Sequence, residues 1–192
     1  MYKKNWKKDI FTIPNLLSLF RLLLIPVYIV IYLNAEDAAD YYLAAGILTV
    51  SCLTDLIDGK IARHFNMITS LGKLLDPVAD KATQFALILC LTMKHKVLRY
   101  IMALFILKES FQLIAGGILL RKKKMLKGAL ISGKICTTVL FISLILMVML
   151  PELNNRIINT IAIIDLAFML VAFIEYIAAY FFMEDKFQHI DD

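Results

Sequence analysis

Long apolar stretches alternate with short charged connections along this chain of 192 residues, of which 60% are hydrophobic. Each stretch has about the ~20 residues that a helix needs to cross a bilayer. The stretches are continuous, whereas strands of a membrane barrel would alternate apolar and polar residues. The pattern therefore predicts an all-α integral membrane protein in which residues 1–192 form a single membrane domain. Six transmembrane helices are predicted, at residues 16–33, 41–63, 70–93, 97–120, 128–150 and 157–183.

The segment before the first predicted span is short and amphipathic. Tyr2, Trp6 and Ile10 recur every four residues, while four lysines occupy positions between them. A helix of this kind suits the headgroup region of an anionic leaflet. We therefore predict an interfacial amphipathic segment over residues 1–13, which Pro14 separates from the first span.

The distribution of Lys and Arg predicts the orientation in the cytoplasmic membrane. The N-terminal segment and the connection at 121–127 are strongly basic, whereas the connection at 34–40 is acidic. By the positive-inside rule, both termini and 121–127 face the cytoplasm, as does the basic connection between the second and third spans. The connection at 94–99, which contains Lys94, His95, Lys96 and Arg99, falls on the predicted external side and disagrees with this rule.

The net charge of +5 is attributed to attraction to anionic lipids. The basic residues flank the predicted spans, and the sequence contains no nucleic-acid-binding motif, so no nucleic-acid partner is predicted. The three cysteines, Cys52, Cys90 and Cys136, are scattered within apolar stretches without a C-x-x-C pair. They are interpreted as small buried side chains.

Four aspartates interrupt the second and third apolar stretches at helical spacing. Carboxylates inside a spanning segment are costly and usually mark function. Folding the two helices together would bring the four carboxylates into one box, and oxygen-rich boxes suit Mg²⁺ or Mn²⁺. The negative charges of four carboxylates balance the positive charges of two divalent ions. The alternative is that each carboxylate pairs with a nearby Lys or Arg. The first helical stripe contains Asp55, Asp58, Gly59 and Ala62, and the second contains Gly72, Asp76 and Asp80.

This pattern resembles the signature of the CDP-alcohol phosphatidyltransferases, D-x-x-D-G-x-x-A-R-x8-G-x-x-x-D-x-x-x-D. The matching residues are Asp55, Asp58, Gly59, Ala62, Arg63, Gly72, Asp76 and Asp80. The stretch from Ile13 to Arg21 is similar to the opening of the phosphatidylglycerophosphate synthase and cardiolipin synthase branches of that family. The resemblance covers roughly residues 10–90 and is weaker beyond.

The resemblance implies a phosphatidyltransferase that uses CDP-diacylglycerol as donor and releases CMP. An acceptor alcohol would attack the lipid-side phosphorus by a two-metal mechanism. Asp55, Asp58 and Asp76 would bind metal, and Asp80 would bind metal and act as general base. The predicted donor-binding residues are Asp58, Gly59, Ala62, Arg63 and Gly72. A homodimer is also implied.

Glycerol-3-phosphate is the predicted acceptor, which would give phosphatidylglycerophosphate. Its phosphate needs cations, and the candidates are Lys108, Lys134 and Arg121; pairing of Lys108 with Glu109 is the alternative. Compared with phosphatidylglycerophosphate synthases, Cys136 replaces a lysine, and Lys108 replaces an arginine. Cardiolipin synthase, with phosphatidylglycerol as acceptor, therefore remains an alternative, as does another acceptor alcohol.

Cation transport is a remote alternative, since the sequence shows no repeated half of the kind that many transporters have. Arg21, Asp165 and Glu175 are three further charged residues in predicted spans. Their sequence positions assign them no role.

Overall fold

The structure, a computed structural model, describes residues 12–64, 72–121, 124–126, 130–182 and 187–189. The predicted interfacial segment therefore lies almost entirely outside the described residues. Within the described ranges, the side chains of 55–64 are among those left undescribed, although the helical backbone there is described.

Six helices make up nearly all of the described chain, one for each predicted span. They are α1 (Ile13–Leu33), α2 (Ala38–His64), α3 (Gly72–Lys94), α4 (Leu98–Arg121), α5 (Ile131–Met149) and α6 (Asn155–Phe182). Four of them contain a stretch long and apolar enough to cross a membrane: α1, α4, α5 and α6. In α2 the apolar part is the shorter Ala38–Thr54, and α3 is interrupted by charged residues in its first half. The six-span count therefore stays a prediction.

Local chemistry explains where the helices begin and end. The first helix begins three residues before the predicted start of the first span, and Pro14 lies in the first turn of α1. Proline is well tolerated there, since its missing N–H would have no partner within the helix. At the other end of α1, Asn34 Nδ2 donates to the carbonyl of Val30 at 2.7 Å. At the start of α6, Asn154 Oδ1 accepts a hydrogen bond from the backbone N–H of Arg156 at 3.0 Å.

Two short strands accompany the helices, and the all-α prediction missed them. Strand β1 (Lys124–Leu126) follows α4, and β2 (Phe187–His189) follows α6. They pair antiparallel, with Met125 opposite Gln188. Strands of three residues carry too little hydrophobic periodicity to be recognised in a sequence.

The chain divides into two compact units, which are described separately. One comprises Met1–Cys90 with Val148–Pro151, and the other comprises Leu91–Met147 with Glu152–Asp192. In the first unit α1 packs against α2. The rings of Tyr28 and Tyr32 lie 5.7 Å apart in that unit, and Tyr41 of α2 meets Tyr32 edge-on at 5.3 Å.

In the second unit, α4 packs against α6. Phe111 of α4 meets Phe173 of α6 edge-on, with ring centroids 5.6 Å apart. Many large apolar side chains are nevertheless exposed in both units; Leu23, Leu113 and Phe181 are 64–77% exposed. Exposed apolar surface on this scale is typical of contact with lipid and not with water. The protein is an integral membrane protein.

Candidate active site

The first turns of α3 present the second aspartate stripe of the sequence motif. Gly72, Asp76 and Asp80 follow one another at intervals of four residues, so they lie on one face of the helix. Gly72 is buried, Asp76 is half-buried and Asp80 is exposed. The exposure of Asp80 leaves that carboxylate accessible to a ligand.

Helix α1 supplies polar partners to both aspartates of this face. Ser18 Oγ donates to Asp76 Oδ1 at 2.6 Å. Arg21 Nη1 donates to Asp80 Oδ1, also at 2.6 Å. Ser18 and Arg21 are three residues apart on α1, and both are almost completely buried. Their spacing matches the one-turn spacing of the two carboxylates, so two successive turns of α1 fix two successive turns of α3.

Asn15 extends this polar stripe by one further turn and is also almost fully buried. Sequence analysis noted the stretch from Ile13 to Arg21 through its resemblance to other proteins, and it assigned Arg21 no role. Asn15, Ser18 and Arg21 recur every three residues within an otherwise apolar helix, and this recurrence is the sequence signal for a buried polar stripe on α1. Two of the three, Ser18 and Arg21, are partners of the aspartates.

Helix α2 carries the first stripe of the motif through to His64 without interruption. Its helical backbone keeps the signature positions of the stripe on one face. Their side chains lie outside those described, so the four-carboxylate box stays a prediction. The residues concerned are Asp55, Asp58, Gly59, Ala62 and Arg63. Among the described side chains, no group of three metal-ligating residues comes together.

The predicted acceptor-binding lysines lie in different environments. Lys108 is almost fully buried, and its Nζ donates to Glu109 Oε1 at 2.5 Å and to Gln112 Oε1 at 3.3 Å. Lys134 and Arg121 are exposed. The charge of Lys108 is thus already balanced by a carboxylate, whereas the two exposed cations are accessible to an anionic ligand.

A polar cluster that sequence analysis missed continues from Lys108. The side chain of Tyr176 of α6 lies next to that of Gln112 of α4. Tyr176 passes so close to Gly133 that a Cβ added there would lie 2.6 Å from the tyrosine hydroxyl. The cluster links α4 to α6, and Gly133 permits the close approach of α5. A cavity of about 220 Å³ beside it is lined by Phe111, Gln112, Ala115, Gly116, Leu119, Tyr176 and Tyr180.

The other two charged residues left without a role lie in α6. Asp165 is almost completely buried, and it accepts a hydrogen bond from Ser143 Oγ of α5 at 3.0 Å. Glu175 is half-buried. The Asp165 contact is a helix–helix hydrogen bond within the second unit.

Comparison with known proteins identifies the family of this chain. The model of the CDP-alcohol phosphatidyltransferase family matches residues 11–179, which is most of the chain. The chain belongs to the CDP-alcohol phosphatidyltransferase family. The predicted family resemblance is thereby confirmed, and the protein is a membrane transferase. Enzymes of this family generally use divalent metal ions.

Individual family members are similar over different lengths. A CDP-diacylglycerol–glycerol-3-phosphate 3-phosphatidyltransferase from Aquifex aeolicus is 33% identical over 169 residues, which cover 85% of this chain and 93% of the relative. One of the same name from Rickettsia bellii is 41% identical over 86 residues, covering 44% of this chain and 46% of the relative. A CMP-forming cardiolipin synthase from Streptomyces coelicolor is 35% identical over 115 residues, covering 58% of this chain and 53% of the relative.

Proposed function

We propose that this CDP-alcohol phosphatidyltransferase transfers a phosphatidyl group from CDP-diacylglycerol to a hydroxyl of glycerol-3-phosphate. The hydroxyl oxygen bonds to the phosphorus that carries the lipid, and the bond from that phosphorus to the CMP oxygen breaks. CMP leaves with the electron pair, the hydroxyl proton passes to Asp80, and phosphatidylglycerophosphate is formed. The observation that carries the proposal is the similarity to the Aquifex aeolicus enzyme over 93% of its length, since its name states this reaction.

The donor would bind along the signature stripes. Gly59, Ala62 and Gly72 leave room for the nucleotide diphosphate, because a bulky side chain on the carboxylate stripe would occupy its place. Asp58 would contact the donor from the same stripe. Arg63 would hold phosphate oxygens through charge-assisted hydrogen bonds.

Asp55, Asp58, Asp76 and Asp80 would hold two divalent ions, Mg²⁺ or Mn²⁺. Their donor chemistry fits this role, because all four are carboxylates and hard divalent cations prefer oxygen ligands. The ordered positions of Asp76 and Asp80 on α3 support it further. When bound, such ions neutralise phosphate charge and stabilise the attacking and leaving oxygens.

Ser18 and Arg21 act as positioning residues in this proposal. A proton acceptor works only when its oxygen meets the hydroxyl in the correct geometry. Arg21 bonds Oδ1 of Asp80 from a buried position, while the Asp80 side chain remains 54% exposed to a substrate. Ser18 fixes Asp76 in the same way through its hydroxyl.

The acceptor phosphate would bind Lys134 as its main cationic partner, with Arg121 as a second cation. Both are exposed, and neither forms an ion pair with another residue in the described part of the chain. Lys108 is the weaker candidate, because Glu109 balances its charge and a phosphate would have to compete with that carboxylate. We therefore assign Lys108 a secondary role in acceptor binding.

We further propose six spans, with both termini and the active site facing the cytoplasm, and a homodimer as the assembly. The pairing of β1 with β2 supports the even number of spans between them, because paired backbones lie on the same side of a membrane. The basic residues from Arg121 to Lys127 give that side its positive charge. This orientation places the acidic connection at 34–40 outside.

Cardiolipin synthesis, with phosphatidylglycerol as acceptor, is the second candidate. The Streptomyces coelicolor cardiolipin synthase is 35% identical over 58% of this chain, and Cys136 stands where a second lysine of the acceptor element is expected. A phosphodiester acceptor carries less charge than glycerol-3-phosphate and needs fewer cations. Another acceptor alcohol is a third candidate, and cation transport is a remote one.

A single assay separates these candidates. Purified protein in detergent–lipid micelles is supplied with CDP-diacylglycerol, Mg²⁺ or Mn²⁺, and one acceptor at a time, and CMP release is measured. Glycerol-3-phosphate is expected to support turnover, with phosphatidylglycerol and water as the comparison acceptors. CMP release with phosphatidylglycerol alone would instead establish the cardiolipin synthase alternative.

A further inference from the structure

A groove of about 540 Å³ lies between the beginnings of α4 and α6, within the second unit. Its volume falls in the range typical of small-molecule sites, ~300–1,000 Å³. None of the residues around it belongs to the phosphatidyltransferase signature. They are Lys96, Val97, Arg99, Tyr100, Asn159 and Ile163.

One side of the groove is cationic. Lys96 and Arg99 line it, and both are exposed. Burial, together with the neighbouring charge of Lys94, lowers the pKa of His95. Among the residues that line the groove, Lys96 and Arg99 carry the positive charge. These residues belong to the connection that disagrees with the positive-inside rule. An anionic ligand at this site would explain why positive charge is placed there.

The backbone does not provide the attraction for an anion here. At the start of α4, the N–H groups of Leu98, Arg99 and Tyr100 donate to turn carbonyls at 3.1–3.2 Å. At the start of α6, Asn154 accepts from the N–H of Arg156. Because these helix-terminal donors are engaged within the protein, an anion in the groove would be held by side chains.

The other side of the groove is apolar and faces outward. Tyr100 is 69% exposed and Ile163 is 63% exposed. The two helices that form the groove are both long and apolar enough to span a membrane, and both begin beside it. The groove therefore lies where a spanning segment meets the headgroup layer, a position that tyrosine commonly occupies.

We propose that this groove binds an anionic phospholipid. The lipid phosphate accepts charge-assisted hydrogen bonds from Arg99 and Lys96, and Asn159 contacts a headgroup hydroxyl. The acyl chains run along Tyr100 and Ile163. The mixture of cationic and outward-facing apolar surface selects a lipid over a free phosphate, because a soluble anion would leave the apolar side exposed.

The proposal is tested by binding of short-chain phosphatidylglycerol to the full-length protein in neutral detergent, counted by native mass spectrometry. The double variant Lys96→Gln/Arg99→Gln should weaken binding about ten- to thirtyfold, since each cation near a lipid surface contributes roughly fivefold. Lys94→Gln/Arg156→Gln is the matched control, because it removes two exposed charges from the same connections without touching the groove lining. It should change the affinity less than threefold.

Two further measurements complete the test. Short-chain phosphatidylcholine should bind at least tenfold more weakly than phosphatidylglycerol, and the water-soluble glycerophosphoglycerol headgroup should not bind at the same concentrations. Equal losses in the two double variants would mean diffuse charge attraction and would overturn the proposal. Binding of the soluble headgroup as tightly as the lipid would also overturn it. The thermal unfolding midpoint of each variant, which should stay unchanged, shows that these exposed substitutions leave the fold intact.

Discussion

Arg21 of α1 and Asp80 of α3 form an ion pair at 2.6 Å in which the arginine is almost fully buried and the aspartate is half exposed. A buried guanidinium is stable only when its charge is balanced, so the position of α1 depends on the acidic face of α3. The same pair holds an accessible carboxylate in one orientation. This contact therefore connects the packing of the first unit with the chemistry proposed for it.

Replacing Arg21 tests this connection. Arg21→Gln keeps a hydrogen-bond donor but removes the charge, and it should lower kcat for CMP release about ten- to hundredfold, since hydrogen bonds between charged groups contribute about 1.5–3 kcal/mol. The KM for CDP-diacylglycerol should change less than threefold. Arg21→Lys should recover part of kcat, and the exposed Arg156→Gln serves as control. A raised donor KM at unchanged kcat would instead make Arg21 a donor-binding residue.

Metal removal should abolish the reaction. Chelation with EDTA is expected to stop CMP release, and added Mg²⁺ or Mn²⁺ should restore it. Asp55→Asn, Asp58→Asn and Asp76→Asn should each reduce turnover at least ~100-fold while the protein still elutes as a folded species, because each removes a charged ligand. Glu36→Gln, which replaces an exposed residue in the connection before α2, is the control. Undiminished turnover after chelation would contradict the two-metal mechanism.

The orientation is open to chemical labelling. In a background without Cys52, Cys90 and Cys136, Asp37→Cys should react with an impermeant maleimide added to intact cells, whereas Lys123→Cys should react only after permeabilisation. The physical reason is the excess of Lys and Arg in the connection at 121–127. The opposite labelling pattern would place the aspartates away from the cytoplasm.

Acceptor binding distinguishes the roles of the buried Lys108 and the exposed Lys134. Lys134→Met should raise the glycerol-3-phosphate KM about ten- to hundredfold with little effect on the donor KM. Lys108→Met should chiefly lower the unfolding temperature, because it leaves the half-buried Glu109 carboxylate without its ion-pair partner. Lys94→Met, an exposed change, is the control. If neither Lys134→Met nor Lys108→Met alters the acceptor KM, the proposed acceptor pocket is wrong.

Gly133 provides a test of helix packing. Gly133→Ala places a methyl group 2.6 Å from the Tyr176 hydroxyl, so the tyrosine must shift and the unfolding temperature should fall, at an overpacking cost of about 1–3 kcal/mol. Gly117→Ala is the matched control, since no atom lies within 4 Å of the added carbon, and it should be neutral or stabilising. Combining Gly133→Ala with Tyr176→Phe should recover part of the loss. Equal unfolding temperatures for the two alanine variants would contradict the close contact.

Hydrophobic patterning predicted the helices well because it is a local property of the chain. The first span was predicted to end at residue 33, and α1 ends at Leu33. The beginning was less accurate, since Pro14 both interrupts an apolar pattern and favours the first turn of a helix. The structure places Pro14 in that first turn.

Contacts between distant residues were harder to predict. The spacing of Asp76 and Asp80 identified one face of a helix, but it did not indicate which helix would meet that face. Ser18 and Arg21 are separated from these aspartates by 58 and 59 positions. Similarly, the proximity of Gln112 to Tyr176 depends on the packing of α4 against α6, which no local pattern encodes.

The β1–β2 pairing also has a consequence for biosynthesis. The ribosome makes β2 about 60 residues after β1. At ~5–20 residues per second, β1 therefore spends about 3–12 seconds before its partner strand has been made. During that interval α5 and α6 are synthesised, and β1 has no β2 to pair with. The strand pair can therefore form only after both helices have been made, which makes it a late step of folding.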